Sequence, residues 1–139
     1  MKGKLAEAGR LLRTLGNERR LRIVNALLRA DLCVCELVDV LRRPQYEVSR
    51  DLAALRNLGL VEDRREGPWV YYSIPAGVRA DALVGGLLRL LEEFLPAEAA
   101  LRFDLACLER RLALRTGDRC VVGTPASAER GGTTTPSTC

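Results

Sequence analysis

The chain has 139 residues, a net charge of +4, 47% hydrophobic and 29% charged side chains, and a pI of about 9.0. That length holds one domain with a modest core, and the charge is a mild bias toward polyanions that gains meaning only from its placement. The complete absence of histidine excludes His-ligated zinc sites, His-based triads and histidine general bases together.

Leu5, Ala8, Leu12 and Leu15 recur at helical spacing, which predicts a first helix from about Lys4 to Leu15, stopped by Gly16. Asn17 suits the N-cap of a second helix with the stripe Leu21, Val24 and Leu28, widened by Ile23 and Leu27. Asp31 is the expected cap of a third, whose apolar positions are Val34, Leu37, Val38 and Leu41. Arg42-Arg43-Pro44 reads as a tight turn, and Pro44 suits the first turn of a fourth helix. There Val48, Leu52, Leu55 and Leu58 face inward, Tyr46, Ser49, Arg50 and Ala53 share another face, and Gly59 terminates the helix. Two helices joined this closely, the second with a polar face, form the helix-turn-helix pattern.

Leu60–Arg65 and Trp69–Ile74, separated by Glu66-Gly67-Pro68, read as a β-hairpin. After Pro75 the stripe Leu83, Leu87, Leu91 and Phe94 predicts one long helix to about Leu95, with Gly85-Gly86 weakening its interior. Pro96 breaks it, and Leu101, Leu105, Leu108 and Leu112 predict a further helix before Gly117. The fold expectation is mainly α with a small β-hairpin, a winged helix-turn-helix. Residues 1–96 are expected to form the winged helix-turn-helix DNA-binding domain, 97–122 a C-terminal helical extension, and 123–139 a tail of low-complexity composition expected to be disordered.

A helix fits the roughly 12 Å major groove. Gln45, Tyr46, Ser49 and Arg50 are the side chains placed to reach base edges or phosphates there. Arg64 and Arg65 are expected at the hairpin tip, gripping phosphate or the minor groove, and Arg42 and Arg43 near the DNA backbone. The bland alternative is that these arginines simply solvate a surface. Glu47, Asp51, Glu62 and Asp63 oppose non-specific binding, since they repel phosphate.

Five cysteines, at positions 33, 35, 107, 120 and 139, form an odd set. Met1-Lys2-Gly3-Lys4 leads into an amphipathic segment rather than an export signal, and no apolar run approaches the ~20 residues of a membrane span. A cytoplasmic protein without membrane association is expected, in which cysteines act as metal ligands or redox thiols.

Cys33 and Cys35 would lie in or beside the first turn of the third helix, where the helix dipole favours thiolates, the form that binds soft metals. Residues two apart on an α-helix diverge by about 200°, so gripping one ion is expected to unwind that turn and reposition the reading helix. A third donor is left open among Cys107, Cys120, a partner chain's thiol, a small thiol and water. Plain packing competes as a reading of every cysteine. It is favoured for Cys107, evenly balanced for Cys120, and Cys139 is taken as incidental.

The stretch Leu32-Cys33-Val34-Cys35-Glu36-Leu37 resembles the ELCVCDL box of the arsenic-responsive ArsR/SmtB winged-helix repressors. Leu15 to Ile23, Val48-Ser49-Arg50-Asp51-Leu52 and Gly67-Pro68-Trp69-Val70-Tyr71-Tyr72 resemble that family in order and spacing, so the resemblance covers about Leu5 to Phe94. It implies a homodimer paired through the first helix and the helix after the wing. It also implies binding to double-stranded operator DNA, release by arsenite or antimonite, and Cys33 and Cys35 as metalloid ligands. No catalysis is implied. Three positions depart from the pattern: Val38 stands where the best-known box has a third cysteine, Asp51 where the family often has histidine, and the histidine-carboxylate zinc site has no histidine to build it. Some relatives place metalloid cysteines near the C-terminus, which keeps Cys107 and Cys120 as candidate ligands. The alternative is a thiol redox-sensing or Cd/Pb-sensing repressor of the same fold.

Overall fold

The computed structural model describes residues 3–117 and Cys120. Helices α1 (Lys4–Leu15) and α2 (Glu18–Leu27) are followed by a two-residue strand, β1 (Leu32–Cys33). Helices α3 (Val34–Leu41) and α4 (Gln45–Leu58) form the helix-turn-helix, and β2 (Glu62–Glu66) and β3 (Trp69–Ser73) form the wing. Helices α5 (Ala76–Ala80) and α6 (Ala82–Phe94), a single 3-10 turn and α7 (Ala99–Leu112) complete the described elements. Among the described residues, no helix is long and apolar enough to cross a membrane.

Local chemistry accounts for most boundaries. The Asn17 side chain accepts a hydrogen bond from Arg20 N at 3.2 Å and starts α2. Gly59 ends α4 at φ 89°, a conformation that costs glycine nothing. The helix expected to be continuous after Pro75 is broken at Asp81, whose carboxylate accepts from Leu83 N and Val84 N and so caps α6 afresh. The glycine inside α6 has a packing reason: a Cβ on Gly85 would collide with the carbonyl of Arg79 in α5.

The three strands lie in the order β1-β3-β2, all antiparallel. The β1 strand is too short to register as a sequence pattern; it exists because Leu32 and Cys33 pair with Tyr72 and Tyr71 of the wing. The main core gathers Ile23, Val24 and Leu27 of α2, Leu37 and Leu41 of α3, and Leu52 and Leu55 of α4. Helix α7 folds back onto α3 and α2, burying Leu101 and Leu108.

Arg42 is the non-glycine residue of left-handed backbone (φ 57°, ψ 41°) among the described residues. That conformation costs roughly 1–2 kcal/mol for a residue with a Cβ. It ends α3 and turns the chain into α4.

Candidate functional site

The thiol site forms where β1 passes into α3. Cys33 is held extended (φ −83°, ψ 165°) by its pairing with Tyr71, whereas Cys35 is already helical. This change of backbone brings together two sulfurs that would diverge on a regular helix: Cys33 Sγ and Cys35 Sγ are 2.7 Å apart. The expected need to unwind the first turn is therefore corrected. The N-cap expectation is corrected too. Cys33 takes that position, with its N–H donating to the Glu36 carboxylate at 3.1 Å, while Asp31 pairs with Arg64 instead.

Cys120 returns from beyond α7 and lies 3.4 Å from Cys35, sulfur to sulfur. The three sulfurs of Cys33, Cys35 and Cys120 all lie within 4.8 Å of one another. The Cys120 N–H donates to the Tyr71 hydroxyl at 2.7 Å, and Tyr71 and Trp69 pack around the cluster. Cys107 is buried elsewhere and accepts from Arg42 Nη1 at 3.3 Å. Cys139 and the tail residues 123–139 lie outside the described residues.

The surroundings do not favour thiolates as the helix start alone would. The hydrogen bond to Cys35 and then burial push the Cys33 thiol up; burial, then the bond from Cys33, does the same for Cys120. Cys33 is 2% and Cys120 1% exposed, and desolvation at that depth outweighs the roughly 0.3–1 kcal/mol of an exposed helix dipole.

Two arginines of the extension brace the site. Arg115 forks onto Glu36 with both contacts at 2.7 Å and donates to the Asp31 carbonyl at 2.6 Å. Arg111 pairs with Asp39 at 2.7 Å and brings Nη2 to 3.9 Å from Cys120 Sγ. Neither arginine, nor the Tyr71 anchor, stands out in the sequence reading. A usable signal is there: Asp104, Cys107 and Arg111 recur at three- and four-residue spacing, a polar line beside the leucine stripe that calls for buried partners.

On α4, Gln45, Tyr46, Ser49 and Arg50 are all exposed on the first two turns, Tyr46 to 66%. The Arg50 guanidinium lies 5.8 Å from the Tyr46 ring centroid. Glu47 and Asp51, read from sequence as repelling phosphate, instead turn into the protein. Asp51 pairs with Arg19 at 2.8 Å and Arg20 at 3.2 Å, and Glu47 with Arg43 at 2.7 Å. Arg42 is likewise drawn inward, to Asp104 at 3.1 Å. Arg64 and Arg65 lie along β2 opposite Tyr71 and Val70, with the turn at Gly67 and Pro68. Arg64 is held by Asp31 at 2.8 Å and Glu66 at 2.6 Å.

A helix-turn-helix with an exposed polar face, a two-stranded wing and a thiol cluster at its base defines a winged helix-turn-helix regulator. The family described as bacterial regulatory protein, arsR family, matches residues 17–63. The arsenic resistance transcriptional regulator ArsR1 of Pseudomonas putida is 37% identical over 92 residues, 64% of this chain and 72% of that protein. The solved HlyU of Vibrio cholerae is 36% identical with a TM-score of 0.59, over 70% of this chain and all of that one. A homodimeric winged helix-turn-helix DNA-binding domain of Mycobacterium bovis is 31% identical with a TM-score of 0.54, over 68% of this chain and 87% of that one. The chain belongs to the arsR family of bacterial regulatory proteins.

Proposed function

We propose that this protein is a metalloid-responsive transcriptional repressor. It binds double-stranded operator DNA as a homodimer and lets go when As(III) or Sb(III) is held by Cys33, Cys35 and Cys120. The observation that carries this reading is the meeting of three sulfurs, from an extended residue, a helical residue and the segment after α7, within 4.8 Å.

The donor set suits a soft ion of three coordination. Zinc sites usually want four donors, and the nearby carboxylates of Glu36 and Asp39 are engaged by Arg115 and Arg111. Arsenite, As(OH)3, exchanges three hydroxyls for three thiolates, and the thiol protons leave as water. Glu36 and Tyr71 hold Cys33 and Cys120 in place for this exchange, through the Cys33 N–H and the Cys120 N–H. Burial of Cys33 and Cys120 limits competing water, while Cys35 remains partly exposed. A ligand that binds the released conformation better shifts the population toward it.

DNA reading falls to Gln45, Tyr46, Ser49 and Arg50, with Arg65 of the wing free to reach phosphate and Arg64 a lesser contributor. Arg forks onto guanine and Gln onto adenine in the major groove. Pairing of two copies is supported by large apolar side chains left exposed on α1 and α6, among them Leu5 at 90% and Phe94 at 74%. The Mycobacterium bovis relative carries the same fold as a homodimer.

The test is fluorescence anisotropy on DNA from upstream of the protein's own gene, titrated with arsenite and then antimonite under reducing conditions. Binding followed by release is the expected result. Binding that only cadmium, lead or peroxide reverses would reassign the inducer, and no binding at all would end the repressor reading.

A further inference from the structure

Helix α7, with the residues just after it, touches the two ends of α3 by different means, and it lies beyond the segment that matches the family (residues 17–63). Near its C-terminus, Arg111 reaches Asp39, Arg115 reaches Glu36, and Cys120 follows into the thiol cluster. Near its N-terminus, the buried Asp104 accepts Arg22 of α2 at 2.8 and 2.9 Å and Arg42 at 3.1 Å. Arg22 also donates to the Leu41 carbonyl at 2.9 Å. A single carboxylate thus gathers α2, the last turn of α3 and the residue that aims α4.

The turn at Arg42 is surrounded by these contacts. A glycine would adopt its backbone at no cost; an arginine there is held by what its side chain meets. The guanidinium donates to the Val40 carbonyl at 2.8 Å and to Cys107 Sγ at 3.3 Å, and lies 4.4 Å from the centroid of Phe103. Three of its partners, Phe103, Asp104 and Cys107, belong to α7. The reading helix begins only three residues later, at Gln45.

We propose that α7 is the strut that carries occupancy of the thiol site to the reading helix, with Asp104 as the positioning residue that holds the Arg42 turn. The proposal rests on the repressor reading above. Within α7 (Ala99–Leu112), Arg111 lies 3.9 Å from Cys120 Sγ and pairs with Asp39, and Asp104 stands about two turns away on the same continuous helix, roughly 10 Å along its axis. A shift of Cys120 on joining Cys33 and Cys35 reaches Arg111 by that contact and is delivered through the helix at Asp104, where it changes the hold on Arg42 and the aim of α4. The turn is the two-state element that both the thiols and the DNA bias.

The experiment compares the wild type with Asp104→Asn. Arsenite binding is followed by the fluorescence of Trp69, the single tryptophan, which packs against the cluster. Operator affinity is measured with and without arsenite. The wild type is expected to show a coupling of about 5- to 150-fold between the two conditions. In Asp104→Asn the arsenite titration should be unchanged while the coupling falls to within about twofold of none. A residue that merely braced the fold would shift both operator affinities together and leave their ratio alone. Should Asp104→Asn fail to fold, Arg42→Gly makes the same comparison, because it keeps the left-handed turn and deletes the side chain. Release of the variant by the wild-type factor overturns the strut and leaves the repressor reading standing; a wild type that arsenite does not release overturns both.

Discussion

Two helix starts lie within twelve residues of each other, and they are finished in opposite ways. At the start of α4, Gln45, Tyr46, Ser49 and Arg50 project into solvent, and the acidic residues among them are folded inward and neutralised by Arg19, Arg20 and Arg43. At the start of α3, Cys33 clusters with Tyr71 and Cys120 under Trp69, and the turn is braced by Arg111 of α7 and by Arg115 just after it, both more than 60 residues further along the chain. One surface suits a large polyanion, which must be met across a face. The other suits an ion that must be surrounded. On the proposed reading, one helix-turn-helix answers two ligands without either competing for the other's side chains.

The sharpest way to break this division is at the sulfurs. Cys33→Ser, Cys35→Ser or Cys120→Ser should each raise the arsenite needed for release by more than the roughly 100-fold that supporting residues cost a metal site. Operator affinity should stay near the wild-type value, and Cys107→Ser should respond normally; anisotropy titrations compare all four. At the other helix start, Arg50→Ala should cost operator binding about 1–3 kcal/mol. If Arg50 meets phosphate, the slope of log affinity against log salt should also fall by about one. Arsenite binding should not change, and a simultaneous loss of both would mean that the two regions are not separate.

Arg115→Ala tests the brace between them. It strands the Glu36 carboxylate, which is fully buried, and should weaken arsenite binding about 10- to 100-fold with a lowered melting temperature. Unchanged melting would show that the pair adds nothing to the fold. The smallest effect belongs to Arg64. It must first give up Asp31 and Glu66, exposed pairs worth ~0–1 kcal/mol each, so its replacement by Ala should cost operator binding less than that of an arginine without this offset. Arg65→Ala should cost more, and the reverse order would show that Arg64 leaves its carboxylates on DNA.

The sequence carried the helix-turn-helix because its signals are local: the Asn17 cap, the Gly59 stop and the apolar stripes of α2 to α4 each act within one turn. It also carried the CVC pair. What escaped it depends on pairing across long separations. β1 is two residues that become a strand only against Tyr71 and Tyr72, and that strand sets the backbone of Cys33 and so the distance between the sulfurs. The inward turn of Arg42 and Asp51 was hidden for the same reason. Charge alone reads as surface, and only the arrival of Asp104, Arg19 and Arg20 makes these residues interior. The choice between Cys107 and Cys120 could not be made from spacing, because it depends on where the chain goes after α7.

The distance along the chain between Cys35 and Cys120 has a consequence for folding. Joining them through one ion closes a loop of 85 residues. The chain-entropy treatment of cross-links assigns a closure of that length about 4–5 kcal/mol, a large share of the stability of an ordinary domain. On the proposed reading, the inducer therefore acts as a reversible staple. The form of the protein that has left its promoter is then harder to unfold than the ion-free protein, and a cell under metalloid stress keeps its sensor intact while the genes it silenced are read.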